Sequence, residues 1–258
     1  MPAKALTAQQ TAALAQGFNM RDIGGVATRD GRRVKPGLLF RSGEPRKLGE
    51  DAIRALDAVG LMLVCDMRAD VERHYRPVEH AGYQRVRRLT RDIESSNADL
   101  WARLEDDAVE REEVRGTMID VYRRLPEEQA PLIRELIAAV AAGETPLLFH
   151  CAAGKDRTGF AAALLLALCD VPDETILADY AETERWMITQ RERFMRKKKD
   201  QGQNTELWEP LFTCDPNYLL TALGIVRGAQ GGLPGWLESI GVEKAQIAAA
   251  RAHLVERG

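Results

Sequence analysis

The sequence predicts an α/β fold, a largely parallel central sheet with helices on both faces, and a helix–strand pattern that occurs twice carries the prediction. In the first unit, Leu48-Gly49-Glu50-Asp51-Ala52-Ile53-Arg54-Ala55-Leu56 has apolar positions at helical spacing and stops at Gly60, the residue type that closes helices. Leu61-Met62-Leu63-Val64-Cys65 then reads as a buried strand. In the second, Leu132, Ile133, Leu136, Ile137 and Val140 form one apolar face, Gly143 ends the helix, and Pro146-Leu147-Leu148-Phe149 is the strand. A buried helix, Phe160 to Leu168, leaves that strand through a polar loop. In such sheets ligands bind at the carboxyl ends of the strands, which is where this loop and the segment Asp66 to Arg68 fall.

Composition narrows the partners. A chain of 258 residues is long enough for one well-cored domain with insertions, and nothing marks a second, so 1–258 is read as a single domain. Lys and Arg number 36 against 39 Asp and Glu, a net charge of −3, which argues against nucleic acid as a partner. No apolar run approaches the ~20 residues of a membrane span, and residues 1–17 lack the hydrophobic core of a signal peptide. A cytoplasmic protein is expected, or one secreted by a route that needs no such signal, without stable membrane insertion. Oligomeric state is not legible. The four cysteines, Cys65, Cys151, Cys169 and Cys214, show neither Cys-x-x-Cys nor metal-ligand spacing, so neither zinc nor a disulfide framework is expected.

The polar loop is His150-Cys151-Ala152-Ala153-Gly154-Lys155-Asp156-Arg157-Thr158-Gly159. With a strand entering and a helix leaving, the backbone N–H groups from Ala152 to Arg157 have no intrahelical partner and can converge on a dianion, helped by the helix dipole. The same field favours a thiolate, which makes Cys151 a nucleophile. Arg157 supplies a planar fork for two non-bridging phosphate oxygens. Gly154 and Gly159 permit close backbone approach, and Thr158 is placed to donate its hydroxyl to the sulfur. Ala152, Ala153, Gly154, Lys155 and Thr158 are therefore the expected substrate-binding residues, with Cys151 and Arg157 catalytic. No metal or organic cofactor is expected, because the amides and Arg157 supply the electrostatics. A nucleotide-binding P-loop is excluded: Lys155 is followed by Asp156 where Ser or Thr is required, and Phe149 stands where the first glycine should. The usual sulfur-transfer loop is shorter. A catalytically inactive phosphate-binding module is the alternative, although cysteine, arginine and a carboxylate are all in place.

This loop resembles the signature His-Cys-x5-Arg-Thr-Gly of the cysteine-dependent protein tyrosine phosphatases, and its ending Gly-Lys-Asp-Arg-Thr-Gly is similar to the atypical bacterial branch of that superfamily. Phe18-Asn19-Met20-Arg21-Asp22-Ile23-Gly24-Gly25, Gly37-Leu38-Leu39-Phe40-Arg41-Ser42-Gly43 and Cys65-Asp66-Met67-Arg68 with Glu72 match the branch's motifs in order. So do Tyr218-Leu219-Leu220 and Leu237-Glu238-Ser239-Ile240-Gly241. Met67 stands where leucine is usual and Met20 where an aromatic is common. The resemblance implies hydrolysis of phosphotyrosine through a cysteinyl-phosphate intermediate. It also implies tolerance of phosphoserine, phosphothreonine and phosphoinositides, so the partners are a phosphorylated protein or a phosphoinositide.

Two residues compete for the general acid. Asp156 lies inside the loop, as in the resembling phosphatases, whereas Asp92, in Leu89-Thr90-Arg91-Asp92, falls on a polar connection where a mobile acid loop could sit; geometry favours Asp156. Lys155 either projects as a mobile point charge toward a second phosphate or pairs with Asp156 or a neighbouring carboxylate. Asp66 and Arg68 either buttress the loop or cap their strand within a salt-bridge network, and for Arg21, Asp22 and Arg41 the structural reading is favoured. Over 173–203, Ile176, Leu177, Tyr180, Trp186, Met187 and Phe194 form an interrupted stripe ahead of a basic run from Arg191 to Lys199. That pattern reads as a surface helix pair with a solvated basic face; the resemblance implies a helical lid inserted here, over the active site.

Overall fold

In a computed structural model the chain is described over residues 8–46, 48–92, 103–105 and 109–256. Five short strands form one sheet among these residues: β1 (Arg21–Asp22), β2 (Leu39–Ser42), β3 (Leu63–Asp66), β4 (Arg87–Thr90) and β5 (Leu147–His150). Their order is β1-β2-β5-β3-β4, antiparallel only at the β1–β2 edge and parallel elsewhere. Both strands named from sequence are present, at the centre of the sheet.

Side-chain alternation explains why helices cover both faces. Leu39, Leu63, Cys65, Leu147 and Phe149 join one apolar cluster, with Val114 and Met118 of the helix Arg111–Glu128 and Leu132 and Leu136 of Ala130–Ala141. Their neighbours Phe40, Val64 and Leu148 point the other way, onto Leu14 and Phe18 of the helix Ala8–Phe18 and Leu56 and Val59 of Glu50–Val59. Every residue of β2, β3 and β5 is buried, the expectation for parallel strands sandwiched by helices. Truncating a core leucine such as Leu148 to alanine costs about 2–5 kcal/mol in such a setting.

The register brings three strand ends level. His150 sits opposite both Ser42 and Asp66, so the loop after β5 emerges between the extensions of its two neighbours. Those extensions hold it: Met67 N–H donates to His150 O at 2.8 Å, and Glu44 N–H donates to Ala152 O at 3.0 Å. The helix Asp156–Leu168 then runs through the core, buried on nearly every side. It is followed by the helix Asp173–Asp200, 28 residues and therefore about 42 Å long. This is one continuous helix where the sequence reading expected a pair. No glycine or proline interrupts it, Asp173 and Glu174 meet its positive end, and Lys197, Lys198 and Lys199 meet its negative end. Among the described residues no helix is long and apolar enough to cross a membrane.

Candidate active site

Cys151 lies at the end of β5, 2% exposed, and the Gly154 N–H donates to its sulfur at 3.3 Å. Gly154 has a φ of +73°, and a Cβ there would come within 2.6 Å of the Ser42 and Gly43 backbone, so the turn that aims this amide at the sulfur requires glycine. Helical structure begins at Asp156. The loop's amides thus crown a helix N-terminus, as the strand–loop–helix pattern demands.

Arg157 is held in one orientation. Its Nη1 donates to Met67 O at 3.0 Å and to Glu72 Oε2 at 2.5 Å, while Nη2 donates to Glu72 Oε1 at 2.9 Å. These bonds use the end of the guanidinium, which leaves the Nε–H and the second Nη2–H on its flank as a parallel pair for an oxyanion. Burial pushes the Glu72 carboxyl up, but the Arg157 hydrogen bonds and charge outweigh it and hold the carboxyl below its ordinary range.

A buried network braces the base of the loop. Arg68 donates to both oxygens of Asp66, at 2.9 and 2.7 Å, and to Glu44 Oε2 at 3.2 Å. Burial pushes Asp66 up, yet the charges of His150 in its acid form and of Arg68 prevail and bring it from 3.8 to about 2. His150 Nε2 lies 2.8 Å from the Tyr83 hydroxyl and Nδ1 lies 3.1 Å from Cys151 O, so both ring nitrogens are occupied. Burial lowers its pKa below 6.5, which keeps the ring neutral at pH 7.

Above the sulfur opens a cavity of about 600 Å³, with Cys151, Ala152, Ala153, Asp156 and Arg157 at its floor. Trp186, Met187 and Phe194 of the helix Asp173–Asp200 form an apolar wall, met by Leu211 and Phe212; Phe18 and Asn19 close another side, and Arg46 and Arg76 line it too. Asp156 is 26% exposed, and its Oδ1 accepts from the Tyr122 hydroxyl at 2.7 Å, which in turn lies 2.6 Å from that of Tyr180. The second carboxyl oxygen is free of those bonds.

A model of the tyrosine phosphatase family matches residues 12–256, almost the whole chain. The chain belongs to the tyrosine phosphatase family. A Cupriavidus necator protein named as a tyrosine-protein phosphatase is 33% identical over 233 residues, covering 89% of this chain and 84% of the relative. The triple specificity protein phosphatase PtpB of Mycobacterium tuberculosis is 26% identical over 277 residues, covering 92% and 96%. A tyrosine-protein phosphatase of Nostoc commune is 29% identical over 190 residues, covering 66% and 65%.

Of the phosphatase residues named from sequence, Cys151, Ala152, Ala153, Asp156 and Arg157 line one cavity. Lys155 is placed differently from the mobile point charge considered above. Its side chain is 1% exposed, with Nζ donating to Leu211 O at 2.5 Å and Thr213 O at 3.3 Å and lying 3.4 Å from Asp156 Oδ1. Nζ thus pairs with Asp156, because the helix leaving the loop turns this side chain inward. Thr158 Oγ1 is buried without a hydrogen-bond partner among the described residues, so the expected bond to the sulfur is not made. Asp92 stands at the end of β4, where Oδ1 accepts from Asp70 N–H at 3.1 Å, and does not line the cavity; residues 93–102, where a mobile acid loop would continue, lie outside the described residues.

The basic run is likewise not a solvated face throughout. Lys198 is buried, pairs with Glu105 and sits 4.1 Å from the centre of the Trp208 ring, and Arg191 pairs with Glu209. Three contributors carried no assigned role in the sequence reading. Glu72 belonged to a recognised motif, which was a usable signal. Tyr122 and Met118 come from a helix without motif, and only packing brings them to the site.

Proposed function

We propose that this phosphatase hydrolyses phosphomonoesters, phosphotyrosine in proteins foremost, through a cysteinyl-phosphate intermediate. The observation that carries the reading is that Cys151, Asp156 and Arg157 line one cavity, with the Gly154 N–H on the Cys151 sulfur and the flank of the Arg157 guanidinium unengaged. In the first step the sulfur attacks phosphorus, the S–P bond forms, and the ester P–O bond breaks while Asp156 gives its proton to the departing oxygen. In the second, the Asp156 carboxylate takes a proton from water as that oxygen attacks phosphorus; the S–P bond breaks, returning the thiolate and inorganic phosphate. The loop amides and Arg157 hold the equatorial oxygens throughout.

The wall of Trp186, Phe194 and Phe212 suits an aryl ring, which supports phosphotyrosine as the principal substrate. By their place along this wall, residues 173–203 act as the lid of the site. Similarity to a triple specificity phosphatase and the cavity's size support activity on phosphoserine, phosphothreonine and phosphoinositides as well. The test is phosphate release from phosphotyrosine and phosphoserine peptides and from phosphoinositide vesicles, with a chelator present. Release from phosphotyrosine is expected; binding without release by the unmodified chain would instead establish a phosphate-binding module.

A further inference from the structure

Arg41 is a fully buried charged side chain that the chemistry above leaves unused. It is a fully buried guanidinium, 0% exposed, on the strand beside β5 and opposite Phe149 in register. Its Nη2 donates to Gly154 O at 2.8 Å and to Thr183 Oγ1 at 3.2 Å, and its Nη1 pairs with Asp179. Asp179 and Thr183 belong to the helix Asp173–Asp200, seven and three residues before Trp186 in the cavity wall. A second arginine shares the same partners: Arg21 Nε donates to Asp179 Oδ1 at 2.8 Å and Nη2 to Thr183 Oγ1 at 3.1 Å, but Arg21 makes no bond to the loop. Burial pushes the Asp179 carboxyl up, and Arg41 and Arg21 together outweigh it and keep the carboxyl below its ordinary range.

We propose that Arg41 is a positioning residue of the anion site, which fixes the Gly154–Lys155 peptide so that the Lys155 N–H faces the bound phosphoryl group and ties that orientation to the lid helix. The peptide is trans, so its C=O and N–H point in opposite directions. Anchoring Gly154 O outward on Arg41 therefore turns the Lys155 N–H inward, on the side where the Gly154 N–H already meets the sulfur. Gly154 needs such an anchor, because glycine has the widest backbone freedom and sits here at positive φ. Asp179 supplies the counter-charge that holds the guanidinium in place, so the loop's shape depends on a residue of the lid helix.

This inference rests on the loop being an oxyanion site, and the experiment separates the two. Binding of tungstate, a tetrahedral dianion, is measured by calorimetry for the full chain and for Arg41→Met, Arg41→Lys and Arg21→Met, together with kcat and KM on p-nitrophenyl phosphate and folding by circular dichroism. Loss of one charge-assisted anchor weakens tungstate binding and kcat/KM by about tenfold in Arg41→Met. Arg21→Met, which loses the Asp179 pair but no loop contact, stays within about threefold. Tungstate binding by Arg41→Met equal to the unmodified chain, or equal losses in the two methionine variants, overturns the proposal. Should Arg41→Met fail to fold, Arg41→Lys decides: a single ammonium nitrogen lacks the planar fork by which Nη1 meets Asp179 while Nη2 meets Gly154 O, so a loss of about fivefold is expected, and unaltered binding overturns it. Failure of the unmodified chain to bind tungstate overturns the oxyanion reading itself, and this proposal with it.

Discussion

Asp156 and Lys155 are adjacent in sequence, yet the helix that begins between them sends one into the cavity and the other into the core. Their variants should differ in kind. Removing the Asp156 proton in Asp156→Asn slows alkyl phosphates by about 10²–10⁴-fold, the usual worth of a general acid, and spares aryl phosphates with acidic phenols, whose leaving oxygen needs no proton. Asp92→Asn should show no such dependence, since Asp92 receives the Asp70 N–H and does not line the cavity. A leaving-group series on both variants checks this. Lys155→Met leaves the part-buried carbonyls of Leu211 and Thr213 without their cationic donor, so it should lower unfolding stability by about 1–3 kcal/mol. Urea denaturation reads that loss, and catalytic losses on p-nitrophenyl phosphate and on a phosphoinositide should be equal, because the ammonium does not face the cavity. The inward course of Lys155 was not legible: a lysine in a polar loop looks solvated until the carbonyls of Leu211 and Thr213 are brought to it from another element.

At the scale of elements, strand, loop and helix around Cys151 were legible because each follows from local pattern: an apolar run, then Gly and His-Cys, then an apolar helix. The helix Asp173–Asp200 was legible in place but not in form. Its apolar residues recur too sparsely for a buried amphipathic face, which suggested a break, but the sparse stripe reflects a helix that buries only a narrow edge while lining a cavity. The absence of Gly and Pro between Asp173 and Asp200 was the better guide. If that helix contributes an aryl-binding wall, Trp186→Ala raises KM for a phosphotyrosine peptide by up to about tenfold, the worth of one aromatic contact. The kcat should change little, and KM for a small alkyl phosphate should be unmoved. Steady-state kinetics on the two substrates distinguish this from a general loss of folding.

Over the whole molecule, the site couples to stability through ionisable groups buried under the loop. His150 has its pKa lowered by burial from 6.5, so the unfolded chain takes up a proton near that pH while the folded chain does not. Stability is full above pH 6.5 and falls as pH drops below it, by at most about 1.4 kcal/mol per pH unit for this one proton. Asp66, Glu72 and Asp179 are also depressed, so their contribution is present above the ordinary carboxylate range and is lost as pH falls through it, for Asp66 down to about 2. Urea midpoints from pH 8 to 3 should therefore decline in two stages; His150→Gln should shrink the upper one, and it should also weaken the lower one, because the His150 charge helps to depress Asp66. Such coupling is hidden from sequence because Asp66, Glu72 and His150 become neighbours only once β3 and β5 pair.

The central claim is that Cys151 carries the phosphoryl group between the two halves of the reaction. Rapid acid quench during turnover of p-nitrophenyl phosphate, followed by peptide mass spectrometry, tests it most directly. The account predicts one phosphoryl group on the peptide containing Cys151, absent from Cys151→Ser, which should also release no phosphate. A Cys151→Ser protein that still turns over, or a phosphoryl group on another residue, would contradict it.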